Sequence, residues 1–204
     1  MGRYRGTSAD EAALMRVLVG FEFSNTVSRA FRDRGHEVYS CDLDASEGPE
    51  EWHYQCDIFD ALHAKKWDLI ILHPPCTHMA VSGNRWYANT PERFEAVEWT
   101  ESVWNEAECL CEKVALENPV SVFFSHIGGA TQYIQPWMFG HPESKKTGLL
   151  LRNLPKLKPT HDKPDVIEER VWRMAPSPTR SKERARFLPG WAEAMAEQWG
   201  QNGR

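Results

Sequence analysis

Asp68-Leu-Ile-Ile-Leu-His-Pro-Pro-Cys-Thr77 is an apolar run that ends on two prolines and a cysteine. A short, continuous aliphatic and β-branched stretch bounded by a turn signal is what a parallel sheet covered on both faces requires, so Leu69 to Leu72 reads as a fully buried central strand. Pro74 and Pro75 lack the backbone donor, fix φ and restrict the residue before each of them. Cys76 is therefore delivered on a stiff loop at the carboxyl end of the strand, where open α/β sheets keep their ligands. Two readings compete for this residue, a buried structural thiol and a nucleophile. The rigid mount favours the nucleophile, because a structural cysteine needs none.

Outward from this strand, the same grammar recurs. Met15 to Gly20 is an apolar run ending in glycine, a first strand, and Phe21 to Phe31 turns from it into a helix with Ser24, Asn25 or Thr26 as candidate caps. Gly35 closes that helix, and Glu37 to Cys41 forms a second strand that finishes in Asp42-Leu43-Asp44. An acid there, about 20 residues after the first turn, is placed to accept from ribose hydroxyls in Rossmann-like folds. Only Gly20 of the usual glycine fingerprint is present, so a solvated turn carboxylate remains the alternative for Asp42. Asp57 and Ile58 lie in a short third strand or its exit loop. Thr77 to Arg93, with Ser82-Gly83 and Thr90-Pro91 as turn signals, reads as a loop able to fold over Cys76.

Glu92 to Lys113 is expected to be a long helix whose stripe of Trp99, Val103, Trp104, Ala107, Leu110 and Cys111 is core packing. Val114-Ala-Leu-Glu-Asn-Pro119 then repeats the pattern of strand, polar residues and proline. A glutamate at the mouth of a buried strand is costly without a partner, which marks Glu117 and Asn118 as functional candidates. On a strand beside that of Cys76, Glu117 would give a nucleophile and a proton donor facing one pocket. Thr147 to Leu151 is a further strand, residues 153–187 an irregular insertion, and Pro189 to Trp199 an amphipathic helix with Trp191, Met195 and Trp199 four apart.

The bulk numbers fit one α/β domain over residues 1–204, with residues 1–14 as a polar leader: 204 residues, 41% hydrophobic and 26% charged. No apolar run approaches the roughly 18 residues of a membrane span, so no membrane partner is expected. Met1 to Asp10 is polar and lacks a signal-peptide core, which makes the cytoplasm the expected location. Five cysteines without regular spacing fit a reducing compartment, and Cys109 and Cys111, two apart on a helix, diverge too far to suggest a metal site. The net charge of −5 argues against a globally basic DNA-binding surface, although lysines and arginines gather at Lys145, Lys146, Arg152, Lys156 and Lys158 and from Arg180 to Arg186.

Pro74-Pro75-Cys76 on one strand and Glu117-Asn118-Pro119 on a later one resemble the paired motifs of the cytosine-C5 methyltransferases. The order and spacing of the other pieces, over roughly residues 15–200, are similar too, most of all to small phage and prophage cytosine methyltransferase-like proteins that lack a target-recognition domain. The resemblance implies a mostly parallel Rossmann-like sheet with helices on both faces and S-adenosylmethionine as cofactor. It puts Gly20, Phe21, Glu22, Phe23, Ser24, Asp42, Leu43, Asp57, Ile58 and Pro74 at the cofactor, and Pro75, Ser82, Lys145 and Lys146 at the substrate. It implies methylation of C5 of cytosine in DNA through a covalent Cys76 adduct, with Glu117 as acid and Asn118 positioning the ring. A phage origin would put the protein in the host cytoplasm.

Departures from the family pattern are Asn25 in place of a loop glycine, and Glu143, Lys145 and Thr147 in place of glutamine and two arginines. With no recognition domain, a free deoxycytidine nucleotide is the alternative substrate and a separate protein the alternative reading head. A catalytically silent nucleotide- or nucleic-acid-binding protein is the alternative outside enzymes.

Overall fold

The computed structural model describes residues 14–168, 174–175, 177 and 180–201; the expected leader, apart from Leu14, lies outside them. Seven strands form one sheet in the order β3-β2-β1-β4-β5-β7-β6. They are β1 (Arg16–Gly20), β2 (Glu37–Asp42), β3 (His53–Gln55), β4 (Leu69–Leu72), β5 (Val114–Pro119), β6 (Gln132–Ile134) and β7 (Thr147–Arg152). The first five run parallel, and β7 pairs antiparallel with both β5 and β6. The fold is therefore α/β with a mostly parallel sheet.

Alternation along the central strands decides which residues face which layer. Val17, Val19, Leu69 and Ile71 face one core, shared with α1 (Thr26–Arg32) and the C-terminal helix α7 (Pro189–Trp199). Leu18, Ile70, Leu72 and Leu116 face the other, shared with α2 (Ile58–Ala64), α4 (Pro91–Leu110) and α5 (Val122–His126). All four residues of β4 are fully buried, which is why that stretch has no polar face in the sequence. Trp191, Met195 and Trp199 of α7 are buried as their spacing by four predicts.

Order reverses between β1 and β4: the chain winds outward through β2 and β3, returns across β1 and winds the other way through β4 and β5. At such a switch point the loops leaving neighbouring strands diverge and leave a crevice at their carboxyl ends. Gly20 ends β1 there, where a Cβ would come within 2.6 Å of Ile58 Cδ1 and 2.9 Å of Leu72 Cδ2, so the bare backbone lets both side chains close over the strand end.

Three expectations need correction. Thr77 to Arg93 is not simply a loop: it carries a 3-10 turn at Val81–Gly83 and the short helix α3 (Asn84–Tyr87). Buried Arg93 fastens this segment, donating from Nε to His78 O at 2.8 Å and from Nη1 to Asn84 Oδ1 at 2.6 Å. The long helix stops at Leu110, before Lys113. Within the insertion expected to be irregular, Arg180–Ala185 forms helix α6.

Candidate functional site

The loops that leave β1, β2, β3, β4 and β5, the segment before β7 and α6 line a cavity of about 990 Å³ at the switch point. The first loop, Phe21 to Asn25, is shaped by two residues in the left-handed region, Phe21 at φ 64° and Asn25 at φ 57°. Asparagine is the side chain that best tolerates this region after glycine, so Asn25 holds the bend without one. Its side chain is occupied by Arg32 Nη2 and does not cap α1; neither does Ser24 or Thr26. Glu22 does so instead. Its buried carboxylate accepts from Val27 N at 2.6 Å, Ser28 N at 3.0 Å and Ser28 Oγ at 2.6 Å, which satisfies the open amides at the helix start.

The second and third strands deliver Asp42, Leu43, Asp57 and Ile58 to the cavity wall, beside Phe21, Phe23 and Ser24. Asp42 accepts from Asp44 N at 2.9 Å, and burial raises its carboxyl above the usual aspartate range. Asp57 caps α2 through Phe59 N at 2.9 Å. Leu43 is 74% exposed, an open apolar side chain at the cavity mouth. Trp99 was expected in the core, but it meets Phe21 edge-on at 5.5 Å and joins the same wall.

On the other side of the crevice, β4 hands over to His73, Pro74, Pro75 and Cys76, all on the wall. His73 N donates to Gly20 O at 3.1 Å, which ties the loop to β1. Asn118, fully buried on β5, donates from Nδ2 to Pro74 O at 2.9 Å and ties it to β5. Cys76 O then accepts from Met79 N at 3.1 Å and Ala80 N at 2.8 Å, so the thiol sits at the head of a closed turn. Burial raises the Cys76 thiol above its ordinary value; the Lys145 cation opposes this, the Glu117 carboxylate adds to it, and Arg184 opposes it.

The register of β4 against β5, Leu72 opposite Leu116, puts the next residues of both strands side by side. Glu117 Oε2 lies 3.3 Å from His73 Nδ1, and both side chains are about nine-tenths buried. The outer face of the His73 ring packs on Phe187 at 4.6 Å, and His73 Nε2 has no hydrogen-bond partner among the described residues.

Of the residues singled out from sequence, Cys76, Glu117, Ser82, Lys145, Lys146 and the cofactor candidates other than Gly20 share this one cavity. Gly20 and Asn118 lie behind the wall, the first for packing and the second as a fastening. Sequence reasoning missed His73, Trp99 and Phe187 as lining residues; Arg180 and Arg184, noted there only within a basic run, line the cavity too. Among the described residues no group of three or more His, Cys, Asp or Glu is placed to hold a metal ion, and no helix is long and apolar enough to cross a membrane.

The chain matches no protein-family model and no curated protein. Among solved structures it is similar to the methyltransferase EhMeth of Entamoeba histolytica, at 11% identity and a TM-score of 0.45 over 76% of this chain and 57% of that one. It is also similar to WbdD, solved with the kinase inhibitor LY294002, at 12% identity and a TM-score of 0.41 over 74% of this chain and 39% of that one. The chain thus spans less than two thirds of the length of either.

Proposed function

We propose that this chain, as a single Rossmann-like domain, is an S-adenosylmethionine-dependent methyltransferase that acts on C5 of cytosine. The observation that carries the reading is Cys76, on the loop that leaves β4, and Glu117, on the adjacent parallel strand β5, lining one cavity, with Asn118 fastening the cysteine loop to the strand of the glutamate.

The donor set on the β1-β2-β3 side suits a nucleoside cofactor. Asp42 carries a partly desolvated carboxylate with one oxygen engaged by Asp44 N, and hydroxyl donors from a ribose would offset its burial. Asp57 would accept from the adenine amine, and Phe21, Leu43 and Ile58 would flank the ring. Glu22 would act indirectly, by holding the loop in shape. When bound, the cofactor supplies an electrophilic methyl group.

Cytosine C5 is too weak a nucleophile to take that methyl unaided. The Cys76 thiol loses its proton to water and Sγ adds to C6; the electron pair displaced from the C5–C6 bond runs toward N3, where Glu117 donates a proton. C5 gains the electron density it needs. After C5 is methylated, water takes the C5 proton, the C5–C6 double bond re-forms as Cys76 leaves as the thiolate, and N3 returns its proton to Glu117. His73 holds Glu117 through Nδ1, so the carboxyl keeps one orientation through addition and elimination. Because burial raises the thiol, the thiolate available for addition at neutral pH is a small fraction that grows as the pH rises.

The test is a covalent trap. A 5-fluorocytosine substrate cannot release its C5 substituent, so in the presence of cofactor the protein should accumulate a stable adduct that peptide mass spectrometry maps to Cys76. Absence of the adduct, once calorimetry has shown that S-adenosylmethionine binds, would refute the reading.

A further inference from the structure

Helix α6 divides its cations between two sides. Lys182 and Arg186 turn to the loop after β2: Lys182 Nζ lies 3.1 Å from Asp44 Oδ2, and the two Arg186 terminal nitrogens each lie 2.6 Å from a Glu47 oxygen. Both also lie over the Phe23 ring. Arg180 and Arg184, four apart and hence on one helical face, line the cavity instead. There they join Lys145 and Lys146. Among the described residues no carboxylate pairs with any of these four cations. Lys145 Nζ donates to Arg184 O at 3.2 Å, and Lys146 Nζ lies over the Tyr133 ring at 4.4 Å. Arg180 Nε is buried and meets no acceptor among the described residues.

A buried guanidinium N–H without an acceptor is unfavourable unless a ligand provides one. Arginine forks match the oxygens of phosphate and hold them bidentately, which these side chains, paired with no carboxylate among the described residues, are free to do. The wall lies on the Cys76 side of the cavity, since the charges of Lys145 and Arg184 bear directly on that thiol. The cofactor acids Asp42 and Asp57 come from the other half of the sheet, beyond the switch point.

We propose that Arg180 and Arg184, assisted by Lys145, form an anion subsite for the phosphate carried by the target cytidine. The substrate is then a phosphorylated deoxycytidine, as the monoester of a free nucleotide or the diester of a single strand, and the bare nucleoside is a poor one. This rests on the methyltransferase reading for the identity of the base, whereas the subsite itself rests on α6.

Calorimetry on the full chain with S-adenosylhomocysteine present tests it, using deoxycytidine, dCMP and a short single-stranded oligonucleotide with one cytosine. The expected result is that dCMP or the oligonucleotide binds at least about tenfold more tightly than deoxycytidine, an advantage that shrinks as salt is raised. Preference for dCMP identifies a monoester site and preference for the oligonucleotide a diester site. Arg180→Gln and Arg184→Gln should each reduce the advantage, and Lys182→Gln on the other side of the same helix should leave it intact. Equal binding of nucleoside and both phosphorylated forms, no binding of either phosphorylated form, or equal loss in Lys182→Gln would overturn the subsite. A phosphate preference without any Cys76 adduct would leave the subsite standing and remove the methyl-transfer reading; an adduct without a phosphate preference would do the reverse.

Discussion

Asn118→Ala is the substitution whose cost follows most directly from the geometry. The wild-type side chain is fully buried and holds Pro74 O at 2.9 Å. Leaving a buried carbonyl without its donor costs about 1–3 kcal/mol, and the vacated volume adds about 1 kcal/mol. Asn118 Oδ1 has no hydrogen-bond partner among the described residues, so truncation also relieves a desolvated acceptor and offsets roughly 1 kcal/mol. The net loss is about 1–3 kcal/mol, small enough to leave most domains folded at 25 °C.

The effect on chemistry should be larger. Without this tie the cysteine loop keeps its hold on β1, its own turn, the His73–Glu117 contact and the bonds of Met79 O and Val81 N to Val122 N and Val120 O, but loses the bond at Pro74, two residues before Cys76. A misplacement of about 1 Å between reacting groups costs on the order of 100-fold. Urea denaturation with an unchanged slope should report the stability loss, and the rate of the 5-fluorocytosine trap should report the chemistry. Asn118→Asp sharpens the case: at neutral pH it sets a carboxylate against the Pro74 carbonyl and should be less stable than Asn118→Ala, with a deficit that shrinks as acid restores a donor. A stability loss below about 0.5 kcal/mol together with an unchanged trapping rate would refute the claim that Asn118 positions Cys76.

Glu117→Gln keeps an acceptor for His73 but cannot transfer a proton, so the trapping rate should fall by about 10²–10⁴-fold while the thermal shift from S-adenosylhomocysteine persists; a variant that retains more than about a tenth of the rate would exclude Glu117 as the acid. Asp42→Asn tests the cofactor half through pH. Burial raises the Asp42 carboxyl, so the folded state holds the proton more tightly than the unfolded state, and wild-type stability declines as the pH rises from about 4 through the raised value. The amide still accepts from Asp44 N and carries no such penalty. Asp42→Asn should therefore melt at the same temperature as wild type in acid and no lower at pH 7, yet lose the cofactor-induced shift. A lower melting temperature at pH 7 would contradict the desolvation argument.

How much of this was legible in the sequence depends on the range over which each feature is determined. The central strand was readable because burial on both faces leaves a continuous aliphatic run, and Pro74 and Pro75 mark its end unambiguously. The partnership of His73 with Glu117 was not, since it exists only through the register that sets Leu72 opposite Leu116. Trp99 shows the limit of periodicity: spacing gives the face of a helix, while what covers that face is decided by Phe21, held at positive φ far away in the chain. The cap of α1 failed for a local reason. Cap rules look for a short oxygen side chain beside the first turn, but the left-handed turn at Asn25 folds the loop back, so the longer Glu22 reaches the same amides. Helix α6, with six residues, is too short to show a period at all.

The same helix shows what a net charge averages away. A total of −5 averages over cations that acids already neutralise and cations that face a cavity without them. Lys182 and Arg186 belong to the first kind, and their pairs with Asp44 and Glu47 are exposed enough for water to screen them, so each contributes little to holding α6 in place. What fixes the segment is apolar: Phe187 packs at 4.6 Å from both His73 and Trp191, joining the end of α6 to the helix that covers the core. The ring that anchors the segment therefore also rests on the histidine beside Glu117. Cations that would meet a substrate phosphate and the residue that orients the proposed acid are linked through one phenylalanine, so truncating Phe187 would release both together, whereas breaking the Lys182 and Arg186 pairs would leave that linkage in place.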